Sequence, residues 1–169
     1  MKADHGKTTI LNELEKRGMK KAVNYTTRPR RESEKEKAEY EFITKPQFEE
    51  MWEQGKLLQR AEFNGEYYGI SIDSLDNNVA CIQIVDTVKD VKNRAKELGK
   101  NPQILTFYIA VDEQERMRRM KNRGDTIETI EKRIEIDREK FQNARDVADY
   151  IIPNKNVIEA VEDILSKIC

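Results

Sequence analysis

The sequence predicts an α/β fold in which helices pack on a parallel sheet. Short apolar stretches alternate along the chain with segments whose apolar residues recur every three or four positions, the spacing of an amphipathic helix. Two stretches, 79–85 and 104–111, are nearly continuous apolar runs, which is typical of strands buried on both faces. This alternation favours a parallel sheet with helical connections, in which ligands bind at the carboxyl ends of the strands.

In the first half of the chain the pattern predicts two helices and four short strands. In chain order they are a helix over 8–17, strands over 21–25 and 40–43, a helix over 46–55, and strands over 57–63 and 67–68. Asn64, Gly65 and Glu66 separate the last two strands and form a turn signal typical of a hairpin. We therefore expect a small, mostly antiparallel insertion over about 40–70.

The second half of the chain predicts three strands and four helices. In chain order they are a strand over 79–85, a helix over 88–98, a strand over 104–111, helices over 112–123 and 126–143, a strand over 148–152 and a helix over 157–168. Asp112 and Glu115 predict a capping box at the start of one helix. The helix over 126–143 is expected to bury one apolar face, made of Ile127, Ile130, Ile134 and Phe141.

Composition indicates a folded protein and excludes several kinds of site. The 169 residues are enough for one domain with a buried core. Lys and Arg total 31 and Asp and Glu total 32, so overall charge selects neither nucleic acid nor a membrane as a partner. Two cysteines and one histidine exclude a disulfide framework and a multi-histidine metal site. We see no signal peptide and no long apolar span, and therefore expect a cytoplasmic protein.

Gly6, Lys7, Thr8 and Thr9, at the start of the first helix, form a candidate phosphate-binding loop. In such a loop backbone N–H groups and the helix dipole bind phosphate, a lysine reaches the β- and γ-phosphates, and a hydroxyl holds Mg²⁺. Taken alone, the motif is also compatible with a chance helix start. Met1 stands where the first glycine of the loop is expected, so we expect the first core strand to be missing and to be supplied by a longer chain or a partner.

A second candidate site is the charged segment 24–42, which contains Arg28, Arg30 and Arg31. The planar fork of arginine suits bidentate binding of phosphate. Glutamates are interleaved with these arginines, which argues against a nucleic-acid surface. From the arginines alone, a solvated charged loop is the simpler interpretation.

Three segments taken together resemble the guanylate kinase family. They are YTTRPRR followed by EYEF, then GKLLQRAEFNGEYYG, then RRMKNRG, and the similarity runs from Gly6 almost to the C-terminus. The resemblance implies a single domain with the P-loop nucleoside monophosphate kinase fold. Its core would comprise 1–25, 71–115 and 144–169, a GMP-binding insertion about 26–70, and a helical lid about 116–143. The implied reaction transfers a phosphoryl group from ATP, with Mg²⁺, to GMP and gives ADP and GDP.

The resemblance also implies roles for individual residues. The residues implied to bind GMP are Asn24, Arg28, Arg31, Glu34, Tyr40, Gln59, Tyr68 and Ile70. Those implied to bind ATP are Gly6, Lys7, Thr8, Thr9 and Asn154, with Thr8 also holding Mg²⁺. Those implied to act in catalysis, as cations over the transferred group, are Lys7, Arg31, Arg119, Arg123 and Arg133.

The chain departs from the family pattern on the guanine side. Gln59 stands where the family usually has a glutamate, Ile70 where it often has a hydroxyl residue, and 79–85 lacks the expected Asp-x-Asp run. A carboxylate pairs with two guanine N–H groups together, whereas glutamine offers one acceptor and one donor. Two alternatives stay open: a ribose 1,5-bisphosphate phosphokinase, and a non-catalytic guanylate kinase-like module that docks peptides. The retained Lys7 and lid arginines favour an enzyme, which we expect to be a monomer or a homodimer.

Overall fold

The computed structural model describes residues 6–35, 39–75, 78–79, 87–100 and 103–168. Six α-helices and eight β-strands lie within these ranges. In chain order they are α1 Lys7–Lys16, β1 Lys20–Lys21, β2 Asn24–Thr26, β3 Glu41–Phe42, α2 Lys45–Glu53, β4 Ala61–Phe63, β5 Glu66–Ile70, β6 Asn78–Val79, α3 Val88–Glu97, β7 Phe107–Ala110, α4 Glu113–Asn122, α5 Ile127–Val147, β8 Tyr150–Pro153 and α6 Val157–Ile168. The predicted mixture of helices and strands is confirmed.

The strands form parallel pairs and one mixed sheet. β1 pairs with β6 and β7 pairs with β8, both in parallel. The four-stranded sheet has the order β3-β2-β5-β4, with β2 parallel to β3 and the other two pairs antiparallel. Asn64 and Gly65 join β4 to β5 with φ angles of 51° and 75°, the left-handed backbone that a tight hairpin turn requires. The predicted hairpin is therefore confirmed, and two of the three strand pairs in this sheet are antiparallel.

The chain divides into two units, each with its own packing. The first consists of Met1–Arg17 and Leu105–Cys169, and in it α1 packs on α6 and α4 packs on α5. The second, Gly18–Ile104, contains the four-stranded sheet, α2 and α3. A hydrophobic cluster in the second unit comprises Ala22, Leu58, Ile70, Val91 and Ala95. In the described part of the chain, no helix is both long and apolar enough to span a bilayer.

The strand predicted over 21–25 and the burial predicted for Ile127 differ from the structure, and one predicted strand lies mostly outside its described part. The strand predicted over 21–25 is two strands, β1 and β2, in different sheets, because Ala22 between them turns into the hydrophobic cluster. Ile127 was expected to be buried but is 73% exposed, since it occupies the first position of α5, next to the short connection from α4. Ile130 and Ile134, further along α5, do pack with Met120 of α4. Of the strand predicted over 79–85, only Val79 falls among the described residues.

Candidate functional site

The predicted phosphate loop begins α1 in the first unit. Gly6 is the N-cap, with φ 69° and ψ 17°, and its carbonyl accepts the N–H of Ile10 at 3.0 Å. Lys7 is half-buried, while Thr8 and Thr9 are exposed in the first turn. That turn carries no acidic residue, so no carboxylate within it opposes the positive end of the helix dipole. An anion is therefore favoured at this end of α1.

Asn154 lies directly beside this loop. It follows β8, its backbone N–H donates to the carbonyl of Ala110 at 2.7 Å, and it is only 6% exposed. A Cβ atom built on Gly6 would lie 2.7 Å from Nδ2 of Asn154. The structure thus brings together two residues that the sequence assigned to ATP from opposite ends of the chain.

The three predicted lid arginines lie on α4, at its C-terminal cap and on α5. Arg119 donates from Nε to Oε1 of Glu115 at 2.9 Å, and Arg123 donates from Nη2 to Oδ2 of Asp125 at 2.6 Å. The pKa of Asp125 is lowered, chiefly by the hydrogen bond from Arg123, with a further contribution from the charge of Arg133. Arg123 is therefore the direct partner of this carboxylate, and Arg133 acts on it through its charge.

Glu115 has a different role from the one predicted for it. Asp112 caps α4 by accepting the N–H groups of Gln114 and Glu115, as expected. The Glu115 carboxylate, however, accepts hydrogen bonds from Arg118 and Arg119, which hold its pKa at about 2. It anchors Arg119, one of the predicted lid arginines, because its side chain points along α4 toward these cations.

Two ion pairs join α4 to α5. Arg116 binds Asp137 through Nη1 and Oδ2 at 2.5 Å, and both side chains are about nine-tenths buried. Arg138 binds Glu113 through Nη2 and Oε1 at 2.5 Å, in a more exposed position. The helices that carry the predicted lid arginines are thereby fixed to each other.

Arg28 is the centre of a cluster in the second unit, just after β2. Its Nη1 and Nη2 donate to Oε2 and Oε1 of Glu34 at 2.8 and 2.5 Å. Its guanidinium carbon lies 5.4 Å from the ring centre of Tyr40 and 5.3 Å from that of Phe42. The rings of Tyr40 and Tyr68 meet edge to face, with centres 5.9 Å apart. We call these five residues the Arg28 cluster; four of them were predicted from the sequence.

Charge in the Arg28 cluster is strongly coupled. The pKa of Glu34 is lowered to about 2, first by the hydrogen bond from Arg28 and then by the backbone N–H of Arg31, which donates at 2.9 Å. The same hydrogen bond raises the pKa of Arg28. Both groups are therefore ionised near neutral pH. The side chain of Arg31 is exposed beside this pair.

The remaining predicted GMP residues lie on or next to the same sheet. Asn24 of β2 is the register partner of Ile70 of β5. Ile70 is 3% exposed and packs in the hydrophobic cluster, so its apolar side chain stabilises the core and offers a base neither a donor nor an acceptor. Gln59 is 6% exposed and donates from Nε2 to Oγ1 of Thr87 at 2.7 Å. The NH₂ group of Gln59 thus already makes a hydrogen bond within the protein.

Sequence reasoning missed three residues that hold predicted site residues in place. Phe42 lies two positions after Tyr40, and this spacing along a strand could have placed both rings on one face. Asp125 follows Arg123 closely enough that a local ion pair could have been considered. Thr87 is far from Gln59 in the sequence, and no local pattern connects them.

Comparisons with known proteins show which family the chain is similar to. The family model for guanylate kinase matches residues 3–168. The guanylate kinase of Shouchella clausii (strain KSM-K16) is 33% identical over 165 residues, which cover 94% of this chain and 79% of that protein. The guanylate kinase of Syntrophus aciditrophicus (strain SB) is 35% identical over 144 residues, covering 83% and 68%.

A solved structure shows the same fold. The crystal structure of guanylate kinase from Anaplasma phagocytophilum superposes with a TM-score of 0.67 at 19% sequence identity, covering 95% of this chain and 79% of that one. The fold therefore agrees with the relatives that the sequence matches. On the strength of the match over residues 3–168, this chain belongs to the guanylate kinase family.

Proposed function

We propose that the protein transfers the terminal phosphoryl group of ATP to GMP, giving ADP and GDP. The observation that carries the proposal is the Arg28 cluster, in a chain that matches the guanylate kinase family over nearly its whole length. A guanidinium in a cluster with two tyrosines, whose hydroxyls can donate, offers directed donors to a phosphate monoester. Relatives named guanylate kinase are 33% and 35% identical to this chain.

On the donor side we assign ATP to the N-terminus of α1. The helix dipole, the N–H groups after Gly6 and the Lys7 ammonium all favour the phosphates. Asn154 touches Gly6 and would offer its side-chain amide to the edge of the base. Because Gly6 and Asn154 lie so close together, the phosphates and the base of one ATP molecule could bind to adjoining parts of the same surface.

Magnesium fits this site as an ion that accompanies the nucleotide. Within the described residues no group of three or more His, Cys, Asp or Glu side chains could hold a metal by itself. Thr8 is exposed in the first turn of α1 and would supply one hydroxyl ligand, with phosphate oxygens and water as the others. Mg²⁺ bound in this way would neutralise charge on the phosphates.

The protein's own contribution to the reaction is electrostatic. Phosphoryl transfer needs in-line positioning and cations that stabilise the equatorial oxygens, with little covalent participation by the protein. We assign this role to five cations: Lys7, Arg31, Arg119, Arg123 and Arg133. Arg123 donates to Asp125, so a polyphosphate would replace a carboxylate as its partner. The ion pairs between α4 and α5 fix the positions of the helices that carry Arg119 and Arg133.

We also assign the residues about 26–70 to GMP binding, 116–143 to the lid, and 1–25, 71–115 and 144–169 to the core. The Arg28 cluster supports the first assignment, since all five of its members fall within 26–70. The lid assignment is supported by the three arginines on α4, its cap and α5.

The experiment is an acceptor panel. ADP formation from ATP and Mg²⁺ is measured with GMP, AMP, UMP and ribose 1,5-bisphosphate offered one at a time, and each product is identified by its mass. GDP formed from GMP, with little turnover of the other acceptors, is the expected result. Lys7→Met is the matched control, because loss of ADP formation in this variant excludes a contaminating kinase.

Two results would replace the proposal. Faster turnover of ribose 1,5-bisphosphate than of GMP would identify a ribose bisphosphate phosphokinase. Absence of ADP with every acceptor, from folded protein that still binds GMP in calorimetry, would identify a non-catalytic binding module.

A further inference from the structure

The guanidinium that the proposed function assigns to the acceptor phosphate already binds a carboxylate of its own chain. Nη1 and Nη2 of Arg28 donate to the two oxygens of Glu34, and Nη1 also donates to the carbonyl of Pro29 at 3.1 Å. Arginine has five N–H groups, and these three hydrogen bonds leave one on Nε and one on Nη2. The end-on edge of Arg28, formed by Nη1 and Nη2, is therefore occupied, and the side-on edge formed by Nε and Nη2 is left for a phosphate.

Glu34 is held as firmly as Arg28. It accepts from Arg28 twice and from the backbone N–H of Arg31, so displacing it would break three hydrogen bonds to a carboxylate. The side chains of Arg28 and Glu34 are only 11% and 18% exposed. The rings of Tyr40 and Phe42 lie against the guanidinium. These contacts favour a fixed pair over one that opens whenever substrate binds.

If the Arg28–Glu34 pair stays closed, Arg28 and Arg31 contribute to phosphate binding in different ways. Arg28 and Glu34 together carry no net charge, so Arg28 can offer directed hydrogen bonds but little net attraction. Arg31 is exposed, and its backbone is tied to the same carboxylate. Net positive charge toward a phosphate must then come from exposed cations beside the pair, of which Arg31 is the one whose backbone donates to Glu34.

We propose that Glu34 is a positioning residue for the acceptor phosphate: it fixes the Arg28 guanidinium against Tyr40 and orients the turn that carries Arg31. Arg28 then contributes oriented N–H groups, and Arg31 contributes the net positive charge. This inference rests on the proposed function, because it concerns the same acceptor site.

The test is a double-mutant cycle of Glu34→Gln and Arg28→Lys. The amide of glutamine would turn N–H groups toward the guanidinium, so Glu34→Gln should raise the KM and the Kd for GMP by about ten- to a hundredfold. The KM for ATP should change by less than about twofold, because the residues assigned to ATP belong to the first unit and Glu34 to the second. In the Arg28→Lys background the second substitution should add little, since Glu34 acts through Arg28.

Two further variants keep the test interpretable. Glu49→Gln removes the partner of Arg60 in another ion pair of the second unit and should leave both KM values unchanged. Glu34→Asp keeps the charge but shortens the side chain, and its KM for GMP should lie between those of the wild type and Glu34→Gln. Melting temperatures are measured for all variants, and Glu34→Asp replaces Glu34→Gln in the cycle if the latter does not fold.

Several outcomes would overturn the inference. A lower KM for GMP in Glu34→Gln would show that Glu34 competes with the phosphate. Equal rises in the KM for GMP and for ATP, or fully additive effects in the double variant, would show a general structural role. An unchanged KM for GMP in an active Glu34→Gln enzyme would contradict this inference and leave the proposed function unaffected. Wild-type protein that neither binds nor phosphorylates GMP would contradict both this inference and the proposed function. If the wild type binds GMP without turnover, the inference is tested by the Kd for GMP of Glu34→Gln divided by that of the wild type: a ratio of about ten or more supports it, and a ratio near one contradicts it.

Discussion

The backbone of Gly6 lies against the side-chain amide of Asn154, so closely that a Cβ atom on Gly6 would be 2.7 Å from Nδ2. Glycine is required there twice, once by this contact and once by its φ of 69°. Asn154 is 6% exposed and has little room to move away. A side chain at position 6 would therefore disturb both the start of α1 and the amide.

Gly6→Ala is expected to lower the free energy of unfolding by about 2–3 kcal/mol, because the left-handed backbone and the contact with Asn154 both oppose a Cβ atom. It should also raise the KM for ATP. The measurements are urea unfolding and initial rates at varied ATP concentration.

Gly99→Ala is the matched control for that substitution. Gly99 has a φ of 70°, and a Cβ atom there would meet no described atom within 4 Å. It should lose only the backbone contribution of about 1–2 kcal/mol and leave the KM for ATP unchanged. Equal losses in the two variants would show that Asn154 does not restrict position 6.

Arg133→Ala is expected to lower kcat about a hundredfold, because it removes one preorganised cation from the transferred group. Steady-state rates with GMP and ATP provide the measurement. Arg145→Ala, which removes another arginine from α5 at an exposed position, should keep kcat within about twofold. Comparable losses of kcat in both variants would assign the effect to the net charge of the helix.

Asp137→Asn is expected to lower the free energy of unfolding by about 3 kcal/mol, because it leaves the buried Arg116 guanidinium without its anion. Nε of Arg116 is already buried without a hydrogen-bond partner in the described structure, so the side chain tolerates further loss poorly. Chemical denaturation measures the change. Glu113→Gln, which breaks the more exposed pair with Arg138, should have little effect on stability. A similar loss in both variants would show that burial does not distinguish the two pairs.

Acid should destabilise the wild type partly through Glu34. The pKa of this carboxyl is about 2 in the folded protein, against its ordinary value of 4.5, mainly because Arg28 donates to it. A folded pKa below the unfolded one means that the stabilisation is complete above about pH 4.5 and is lost as the pH falls toward 2.

Glu34→Gln should therefore lose less stability than the wild type between about pH 4.5 and 2, as followed by melting temperature across that range. Glu115, whose pKa is also about 2, keeps part of the acid dependence in both proteins. Parallel profiles for the two proteins would show that the Arg28–Glu34 pair does not stabilise the fold.

Local sequence patterns were sufficient for the elements and for part of the site. The Asn64-Gly65 turn, the cap at Asp112 and the first helix, predicted from Thr8 and found from Lys7, were predictable. Each depends on the backbone and on side chains a few positions apart. The motifs around Arg28, Tyr40 and Tyr68 were also recognisable from their order and spacing, and the family match agrees with them.

The sequence by itself determined the α/β class, the family and which residue types could bind phosphate, because these follow from periodicity and local motifs. Only the tertiary structure decided that Gln59 donates to Thr87, that Ile70 packs in the core and that Ile127 is exposed. It also decided that Glu34 occupies the fork of Arg28 and that Asn154 meets Gly6. The physical reason is that burial and hydrogen-bond partners depend on which segments pack together, and residues distant in sequence carry no local signal of that packing.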